Sequence, residues 1–325
     1  MPLNIEYLQK QLAQNIEKVK FNQAPSSLFE PISYILSIGG KRIRPLLVLM
    51  AYNLYCDDID KVMKPAIGIE IFHNFTLLHD DLMDQSDKRR GHATVHKKWS
   101  ENTAILSGDA MLIESYNYIT QVDDKKLPTI INLFSATAMD VCKGQQYDMD
   151  FEQRLDVTEA EYLEMIRLKT AVLLASSLQL GAILAGASPE DATSLHTFGI
   201  HIGIAFQIKD DLLDVFGNSD KLGKNIGDDI VTNKKTYLLV KALELATGET
   251  KNNLNNWLVD KDFDYTTKIE AVKDIYVQLN IKDISEQLID MHYKKAMSAL
   301  DAVSVITEKK VELKNLMSNL MNREK

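Results

Sequence analysis

The stretch from Ile67 to Asp84 reads IGIEIFHNFTLLHDDLMD, an apolar run that ends in an acidic DDxxD motif. A second stretch with the same ending, Phe198 to Asp214, reads FGIHIGIAFQIKDDLLD. The apolar residues of both stretches recur at three-to-four spacing, which is typical of helices that bury one face or more. Each stretch therefore predicts a core helix with an acidic motif at its end.

Helical signals dominate the rest of the chain. Leu, Ala, Ile, Lys and Glu recur at helical spacing in the segments 3–21, 27–37, 43–55, 60–85, 101–121, 129–150, 158–185, 191–216, 234–247 and 264–321. Thr158, followed by Glu161, predicts a capping box at one helix start. Alternating runs that would predict strands are almost absent. We therefore predict an all-α protein in which residues 1–325 form a single domain.

Composition excludes several classes of protein. The chain carries 37 Lys and Arg against 46 Asp and Glu, a net charge of −9 at pH 7. Its 45% hydrophobic residues and only 14 Gly and 7 Pro are unlike those of a disordered or low-complexity chain. General nucleic-acid binding needs clustered positive charge, which a net acidic composition disfavours. We therefore expect a globular protein without a nucleic-acid partner.

Membrane spans, signal peptides and disulfide frameworks each have a sequence pattern that bears on the cellular setting. No uninterrupted apolar run reaches the roughly 18 residues of a membrane span, and the N-terminal segment has no signal-peptide pattern. Cys56 and Cys142 are too few for a disulfide framework. We therefore expect a cytoplasmic protein without a membrane span.

The spacing of the acidic motifs indicates a metal site. Asp80 and Asp84 share a helix face, as do Asp210 and Asp214. Like charges at this spacing destabilise a helix unless a cation compensates them, although a solvated helix end is the alternative. Hard carboxylate oxygens suit Mg²⁺. If the two motifs face each other, they would bridge several Mg²⁺ ions across one diphosphate. The predicted metal-binding residues are Asp80, Asp81, Asp84, Asp210, Asp211 and Asp214.

Basic segments precede and follow the first acidic motif, and others follow the second. Residues 39–45 read GGKRIRP, with three positive charges at a helix start, where cations oppose the helix dipole. KRRG at 88–91 follows the first DDxxD, whereas GKNIGDD at 223–229 and NKKT at 233–236 follow the second. Lys and Arg are the expected partners of a diphosphate. Lys169 lies in an apolar helical stretch, where it could equally extend its ammonium to the surface.

Taken in order, these motifs resemble the trans-isoprenyl diphosphate synthases, or polyprenyl synthetases, over about residues 35–240. The resemblance rests on GGKRIRP at 39–45, HDDLMD at 79–84, RRG at 89–91, GDA at 108–110, GQQYD at 144–148, LKT at 168–170, FQIKDDLLD at 206–214 and GKNIGDD at 223–229. It implies a bundle of about ten core helices around a central cavity, usually a homodimer. It also implies Mg²⁺-dependent, head-to-tail joining of isopentenyl diphosphate to an allylic diphosphate.

The resemblance also implies roles for individual residues. The positions that hold isopentenyl diphosphate are Lys41, Arg44, His73 and Arg90. The positions around the allylic diphosphate are Arg89, Lys169, Thr170, Gln207, Lys224 and Lys234, and four of these are expected to be catalytic: Lys169, Thr170, Gln207 and Lys224. Oxygens of Thr170, Gln207 and the Lys169 backbone would stabilise an allylic cation. Three Mg²⁺ ions are expected when substrate is bound, with Asp80, Asp84 and Asp210 as the best direct ligands.

Product length depends on the helix before the first motif. Phe75 stands five residues before Asp80, which resembles the pattern of geranylgeranyl-forming members, with farnesyl formation as the alternative. Phe72 and Phe75 could equally be plain core residues. Dimethylallyl, geranyl and farnesyl diphosphate are the expected allylic substrates.

Two other functions compete with this prediction. A class I terpene cyclase also ionises a prenyl diphosphate with an aspartate-rich helix, but it has no need of an isopentenyl site such as 39–45 would provide. A non-catalytic helical partner subunit would not need intact motifs. The second DDxxD therefore favours a chain-elongating prenyltransferase over both.

Overall fold

The computed structural model describes residues 3–217, 227–259 and 262–321. These residues form helices and one two-stranded hairpin. The chain divides into two compact units. Unit 1 comprises 1–136, 176–196 and 303–312, and unit 2 comprises 137–175, 197–302 and 313–325.

Unit 1 is built around α4 (Asp60–Met83), the helix predicted from the first acidic stretch. It packs against α3 (Ile43–Asn53) and α6 (Glu101–Ile119). The close approach of α4 to α6 is possible because Gly68 has no side chain, since a Cβ there would lie 2.6 Å from the side chain of Ile119. The remaining elements of this unit are α1 (Ile5–Glu17), α2 (Ser26–Ser37), β1 (Lys88–Arg89), β2 (His92–Ala93) and α5 (Val95–Lys98).

Unit 2 is built around the second acidic stretch and the helices that follow it. Its elements include α8 (Glu159–Ile166), a π-helical turn (Arg167–Ala171), α11 (Asp228–Val231), α12 (Tyr237–Leu245), α13 (Gly248–Val259), α14 (Tyr265–Gln278) and α15 (Ile281–Ala302). Helix α12 packs against α8, α14 and α15, and α14 also packs against α11 and α13. Four helices contribute residues to both units: α7 (Leu127–Glu152), α9 (Val172–Ala185), α10 (Pro189–Phe216) and α16 (Thr307–Met321).

The predicted helices are confirmed, and the described residues add the hairpin and three further helices: α5, α11 and α13. The capping box of Thr158 and Glu161 is present at the start of α8. The hairpin of β1 and β2 was not predicted, nor was α13, whose sequence GETKNNLNNWLV is rich in weak helix formers. Helix α13 buries Leu254 and packs on α14, so tertiary contact compensates for its low propensity.

One continuous helical segment, Glu159–Ala185, is long and apolar enough to cross a membrane by length and composition alone. Of its most apolar window, 67% is buried inside the protein. The segment therefore has the character of a core helix.

Candidate active site

The first acidic motif lies at the C-terminal end of α4. Asp81 is buried, with 2% exposure, whereas Asp84 is exposed and forms the C-cap of the helix. The Asp80 side chain is 19% exposed. The helical spacing therefore gives the three carboxylates different environments, and only Asp80 and Asp84 retain substantial contact with solvent.

The β1–β2 hairpin carries the two arginines that follow this motif. Its turn consists of Arg90 at φ 53° and Gly91 at φ 80°, and Arg89 pairs with His92 across the strands. Two successive positive φ values are the signature of a type I′ turn, which matches the twist of paired strands. The hairpin therefore carries two adjacent arginines, Arg89 in its first strand and Arg90 in its turn.

Arg89 binds the buried carboxylate of the motif. Its Nε lies 2.8 and 2.7 Å from the two oxygens of Asp81, and its Nη2 lies 3.5 Å from Oδ2 of Asp80. A guanidinium with two hydrogen bonds to one carboxylate is both strong and directional. Asp81 therefore holds Arg89 beside Asp80.

The basic loop at 39–45 lies beside the hairpin. Gly39 and Gly40 adopt φ values of 84° and 135°, and Arg90 donates a hydrogen bond to the Gly39 carbonyl. A Cβ on Gly40 would lie 2.6 Å from the Arg90 guanidinium, so the glycine is required for this close approach. The loop and the hairpin therefore form one basic surface next to the first acidic motif.

A buried acid that the sequence analysis missed supports this loop. Glu70, 1% exposed, forms an ion pair with Arg42, whose backbone has a left-handed φ of 49°. Asn74 donates 2.8 and 2.7 Å hydrogen bonds to the Glu70 carbonyl and Oε1. An acid in the middle of an apolar run was the signal that could have identified Glu70, because unpaired charge is rarely buried.

Arg44 and His73 add a side-chain contact to the basic surface. Arg44 Nη1 lies 3.1 Å from Nε2 of His73. Burial, reinforced by the positive charge of Arg44, holds the pKa of His73 well below its usual value, so the ring is neutral and accepts this bond. Burial also lowers the pKa of Arg44 to about 10, which leaves it charged at neutral pH. The buried Nε of Arg44 has no hydrogen-bond partner within the described segments.

The second acidic motif also has a buried middle aspartate. Asp211 is 3% exposed and accepts hydrogen bonds from the Tyr162 hydroxyl, from Tyr237 N at 3.0 Å and from Gln207 Nε2 at 3.1 Å. Burial, with the negative charge of Asp229, raises its pKa to about 7. Tyr162 and Tyr237 were missed from the sequence because their contact with Asp211 depends on long-range packing.

Asp214, the last residue of this motif, is tied to the short helix α11. Gly227 N donates to the Asp214 carbonyl at 2.8 Å, and Asp229 N donates to Oδ2 of Asp214 at 3.1 Å. Burial, followed by the charge of Asp229, raises the pKa of Asp214 to about 6. These acids therefore resist ionisation, and a nearby cation would favour their charged forms.

Lys169 and Thr170 lie in the π-helical turn. Lys169 Nζ donates to Asp148 at 2.6 Å, and Thr170 Oγ1 lies 3.2 Å from Oε1 of Gln207. Asp148 belongs to the GQQYD motif, but no role was predicted for it. Gly144 permits the turn to approach α7, because a Cβ there would lie 2.3 Å from the Lys169 nitrogen. Single π-turns inside helices are frequent at functional sites.

The structure places the remaining predicted residues as follows. Lys41 is exposed at the basic loop of unit 1. Lys234 is exposed in unit 2, with its Nζ 3.8 Å from Oδ1 of Asp229. Lys224 lies outside the described residues. Unit 1 thus contains the acidic motif at 80–84 together with Lys41, Arg44, His73, Arg89 and Arg90, and unit 2 contains the motif at 210–214 together with Lys169, Thr170, Gln207 and Lys234.

The donor set fits a magnesium ion. Among the described residues, no three Asp, Glu, His or Cys side chains form a closed cage. Mg²⁺ is typically bound by one or two carboxylates, with water and substrate phosphate completing its octahedron. Asp80 and Asp84 in unit 1, and Asp210 and Asp214 in unit 2, would supply hard oxygens for such open coordination, whereas the carboxylates of Asp81 and Asp211 are buried and hydrogen-bonded by the protein.

The all-α fold, with an acidic motif at the end of each of two core helices, defines the class of protein as an isoprenoid synthase. A crystal structure of geranylgeranyl pyrophosphate synthase superposes with a TM-score of 0.94 at 40% identity, covering 99% of this chain and 100% of that one. The geranylgeranyl pyrophosphate synthase of Corynebacterium glutamicum, complexed with isoprenyl diphosphate and magnesium, gives 0.84 at 27% identity, with 98% of both chains covered.

Sequence comparison identifies the family. The Polyprenyl synthetase family model matches residues 25–278, and the chain belongs to this family. The short chain isoprenyl diphosphate synthase of Methanocaldococcus jannaschii is 40% identical over 248 residues, 76% of this chain and 74% of that protein. The farnesyl diphosphate synthase of Bacillus subtilis is 41% identical over 246 residues, 73% of this chain and 82% of that protein. The prediction of a prenyltransferase is confirmed, and the terpene cyclase alternative is not favoured.

Proposed function

We propose that the protein condenses isopentenyl diphosphate with allylic diphosphates to make geranylgeranyl or farnesyl diphosphate. The observation that carries this proposal is the basic surface of Arg44, neutral His73, Arg89 and Arg90 next to Asp80. A chain-elongating enzyme needs a cationic site for isopentenyl diphosphate beside its acidic motif, whereas a cyclase needs only the site for the allylic substrate.

Isopentenyl diphosphate would bind to Lys41, Arg44, His73 and Arg90. Arginine is well suited to phosphate because its planar fork donates two parallel hydrogen bonds. His73, held neutral by burial and by Arg44, would leave one ring nitrogen to accept from Arg44 and the other to serve as a donor. The diphosphate charge would thus be neutralised by residues that are already in place.

The allylic diphosphate would be bound by Arg89, Lys169, Thr170, Gln207, Lys224 and Lys234. When Mg²⁺ is bound, up to three ions per site, it supplies charge neutralisation that favours loss of the diphosphate leaving group. Asp80, Asp84, Asp210 and Asp214 would contact the ions. Asp81 would hold Arg89, and Asp211 would organise the hydrogen bonds around Gln207.

The chain's own residues would then protect the allylic cation. The hydroxyl of Thr170 and the side-chain oxygen of Gln207, 3.2 Å apart, would direct lone pairs at the developing positive charge, together with the Lys169 carbonyl. The isopentenyl double bond attacks this cation, and the adduct then loses a proton, for which the released diphosphate is the base. Apolar walls are needed to exclude water, which would quench the cation.

The assembly proposed is a cytoplasmic homodimer of a single-domain chain. Helix α6 exposes apolar side chains in two turns, with Leu106 at 59% and Ile113 at 63% exposure. Residues seven apart share a helix face, so this stripe is suited to a second copy. Cys56 and Cys142 are free thiols, which accords with a reducing compartment. Sedimentation equilibrium of the wild type against Leu106→Glu tests the dimer, since a monomeric wild type would contradict it.

Product chromatography tests the reaction. The purified chain is incubated with isopentenyl diphosphate, each of dimethylallyl, geranyl and farnesyl diphosphate, and Mg²⁺ or EDTA. We expect a longer prenyl diphosphate only with Mg²⁺. Hydrocarbon products that form without isopentenyl diphosphate would indicate a cyclase, and absence of any product would indicate a non-catalytic subunit.

A further inference from the structure

Lys268 is a fully buried lysine in α14, at 0% exposure, outside every motif considered above. Its Nζ donates to Oδ1 of Asn233 at 2.7 Å and to the Val231 carbonyl at 3.3 Å, and it lies 4.1 Å from the centre of the Phe263 ring. Burying an ammonium is costly unless it is well hydrogen-bonded. A lysine held in this way therefore fixes residues 231 and 233, the first through its backbone carbonyl and the second through its side chain.

Those positions form the exit from α11. Val231 is the last residue of α11, and Asn233 adopts a left-handed φ of 55°. Asn233 also donates to the Leu258 carbonyl at 3.1 Å. A left-handed residue after a helix end, with a basic side chain on the last carbonyls, is a recurrent way to end a helix. Lys268 thus determines where the chain leaves α11.

The segment that this turn controls is tied to the second acidic motif on both sides. Before the turn, Asp229 N donates to Asp214 Oδ2 at 3.1 Å. After the turn, Tyr237 N donates to Asp211 Oδ2 at 3.0 Å. Between these two anchors lies Lys234, whose backbone nitrogen donates to the Asp229 carbonyl at 3.0 Å. Lys235, 6% exposed, also donates to the Asn233 carbonyl, at 3.4 Å, from within this segment, whereas Lys268 acts on the segment from α14.

We propose that Lys268 is a positioning residue for the allylic diphosphate: it holds the 231–233 turn so that Lys234 and Asp229 are fixed beside the second acidic motif. The inference rests on the proposed function, because Lys234 is assigned there to the allylic diphosphate. Lys268 acts through Asn233 and Val231, which it contacts directly, so its effect on Lys234 and Asp229 is one of positioning.

The experiment measures KM for each substrate separately in full-length variants. Lys268→Met keeps the aliphatic stem and removes the donors. We expect KM for the allylic diphosphate to rise about tenfold to a hundredfold, the scale of misplaced positioning groups, and KM for isopentenyl diphosphate to stay within about twofold. The matched control is Lys310→Met, which removes another buried ammonium, 5% exposed, from the Val303 carbonyl at 2.9 Å in unit 1.

A second pair of variants keeps the test valid if Lys268→Met folds poorly. Asn233→Gly preserves the left-handed backbone but removes the acceptor, whereas Asn233→Asp preserves both the acceptor and tolerance of that conformation. Both variants remove the amide donor to the Leu258 carbonyl. They differ in the contact with Lys268, because only Asn233→Asp retains an oxygen that can accept from its Nζ. We expect Asn233→Gly to raise KM for the allylic diphosphate and Asn233→Asp to leave it near the wild-type value.

The outcomes separate this inference from the proposed function. A wild-type protein without turnover contradicts the proposed function. If the wild type is active, an equal rise of both KM values, or a loss of thermal stability alone like that of Lys310→Met, overturns the positioning role. Equal KM values for Asn233→Gly and Asn233→Asp would overturn it as well.

Discussion

Arg89 binds the carboxylate of Asp81 through its Nε, at 2.8 and 2.7 Å from the two oxygens, and this contact joins the hairpin to the end of α4. The Asp81 side chain is 3% exposed and that of Arg89 is 25% exposed. The middle aspartate of the DDxxD motif thereby holds the Arg89 guanidinium, whose Nη2 lies 3.5 Å from Oδ2 of the neighbouring Asp80.

Asp81→Asn is expected to release Arg89 without changing the shape of the side chain. Loss of a buried charge-assisted hydrogen bond should lower the free energy of unfolding by about 1–3 kcal/mol. Turnover should fall about tenfold to a hundredfold, because Arg89 is no longer positioned. Urea denaturation and steady-state kinetics measure the two effects.

The control for this variant is Asp87→Asn. Asp87 pairs with Lys97 at 3.1 Å, but their side chains are 81% and 42% exposed. An exposed ion pair contributes at most about 1 kcal/mol. Equal effects of the two substitutions would contradict the role assigned to Asp81.

Asp80→Ala is expected to abolish Mg²⁺-dependent turnover and to leave the helical circular dichroism signal unchanged. The Asp80 side chain is partly exposed, so its removal empties no core position, whereas loss of a group that stabilises transition-state charge costs about 10²–10³ in rate or more. Asp58→Ala, in an exposed ion pair with Lys61 at 3.3 Å, is the control. Unfolding of the Asp80 variant would indicate a structural role instead.

Phe75→Ala is expected to lengthen the product. Phe75 is 8% exposed, and the centroid of its ring lies 4.8 Å from that of His79 and 5.6 Å from that of Phe72. If this aromatic group limits chain growth, removing it opens space along α4, and chromatography should show longer prenyl chains. Phe21→Ala, which empties a buried site 5% exposed elsewhere in unit 1, should reduce stability with an unchanged product. An unchanged product with Phe75→Ala would make Phe75 a core residue only.

The buried acid Asp211 predicts how the stability of the metal-free protein depends on pH. Because burial raises its pKa to about 7, the folded state binds this proton more tightly than the unfolded chain, whose Asp titrates near 4. This contribution to stability is fully present below about pH 4 and is lost as the pH rises to about 7. The slope for one proton is at most about 1.4 kcal/mol per pH unit.

Denaturant titrations in EDTA between pH 5 and pH 8 measure this slope. Asp211→Asn cannot titrate, so its unfolding free energy should fall less steeply with pH than that of the wild type. Parallel curves for the two proteins would contradict the raised pKa.

Much of this protein follows from local pattern. The apolar spacing predicts α4 and α10, and the Thr158 and Glu161 signal predicts the start of α8, because each depends on residues within a few turns. Helix α13 could not be predicted in this way, since its asparagines disfavour a helix and the packing against α14 that stabilises it is a tertiary contact. The basic loop at 39–45 was recognised from charge placement at a helix start, which is also a local property.

The sequence by itself determined the helical class, the family and the identity of the acidic and basic groups, because these depend on residue type and spacing. Only the tertiary structure decided that Asp81 and Asp211 are buried and bound by Arg89 and Tyr162, and that Glu70 supports the basic loop. It also decided that Lys268 holds the turn at Asn233. Such contacts join residues that are far apart in sequence. Burial sets the ionisation of these side chains and the strength of their hydrogen bonds, and it exists only once the chain has packed.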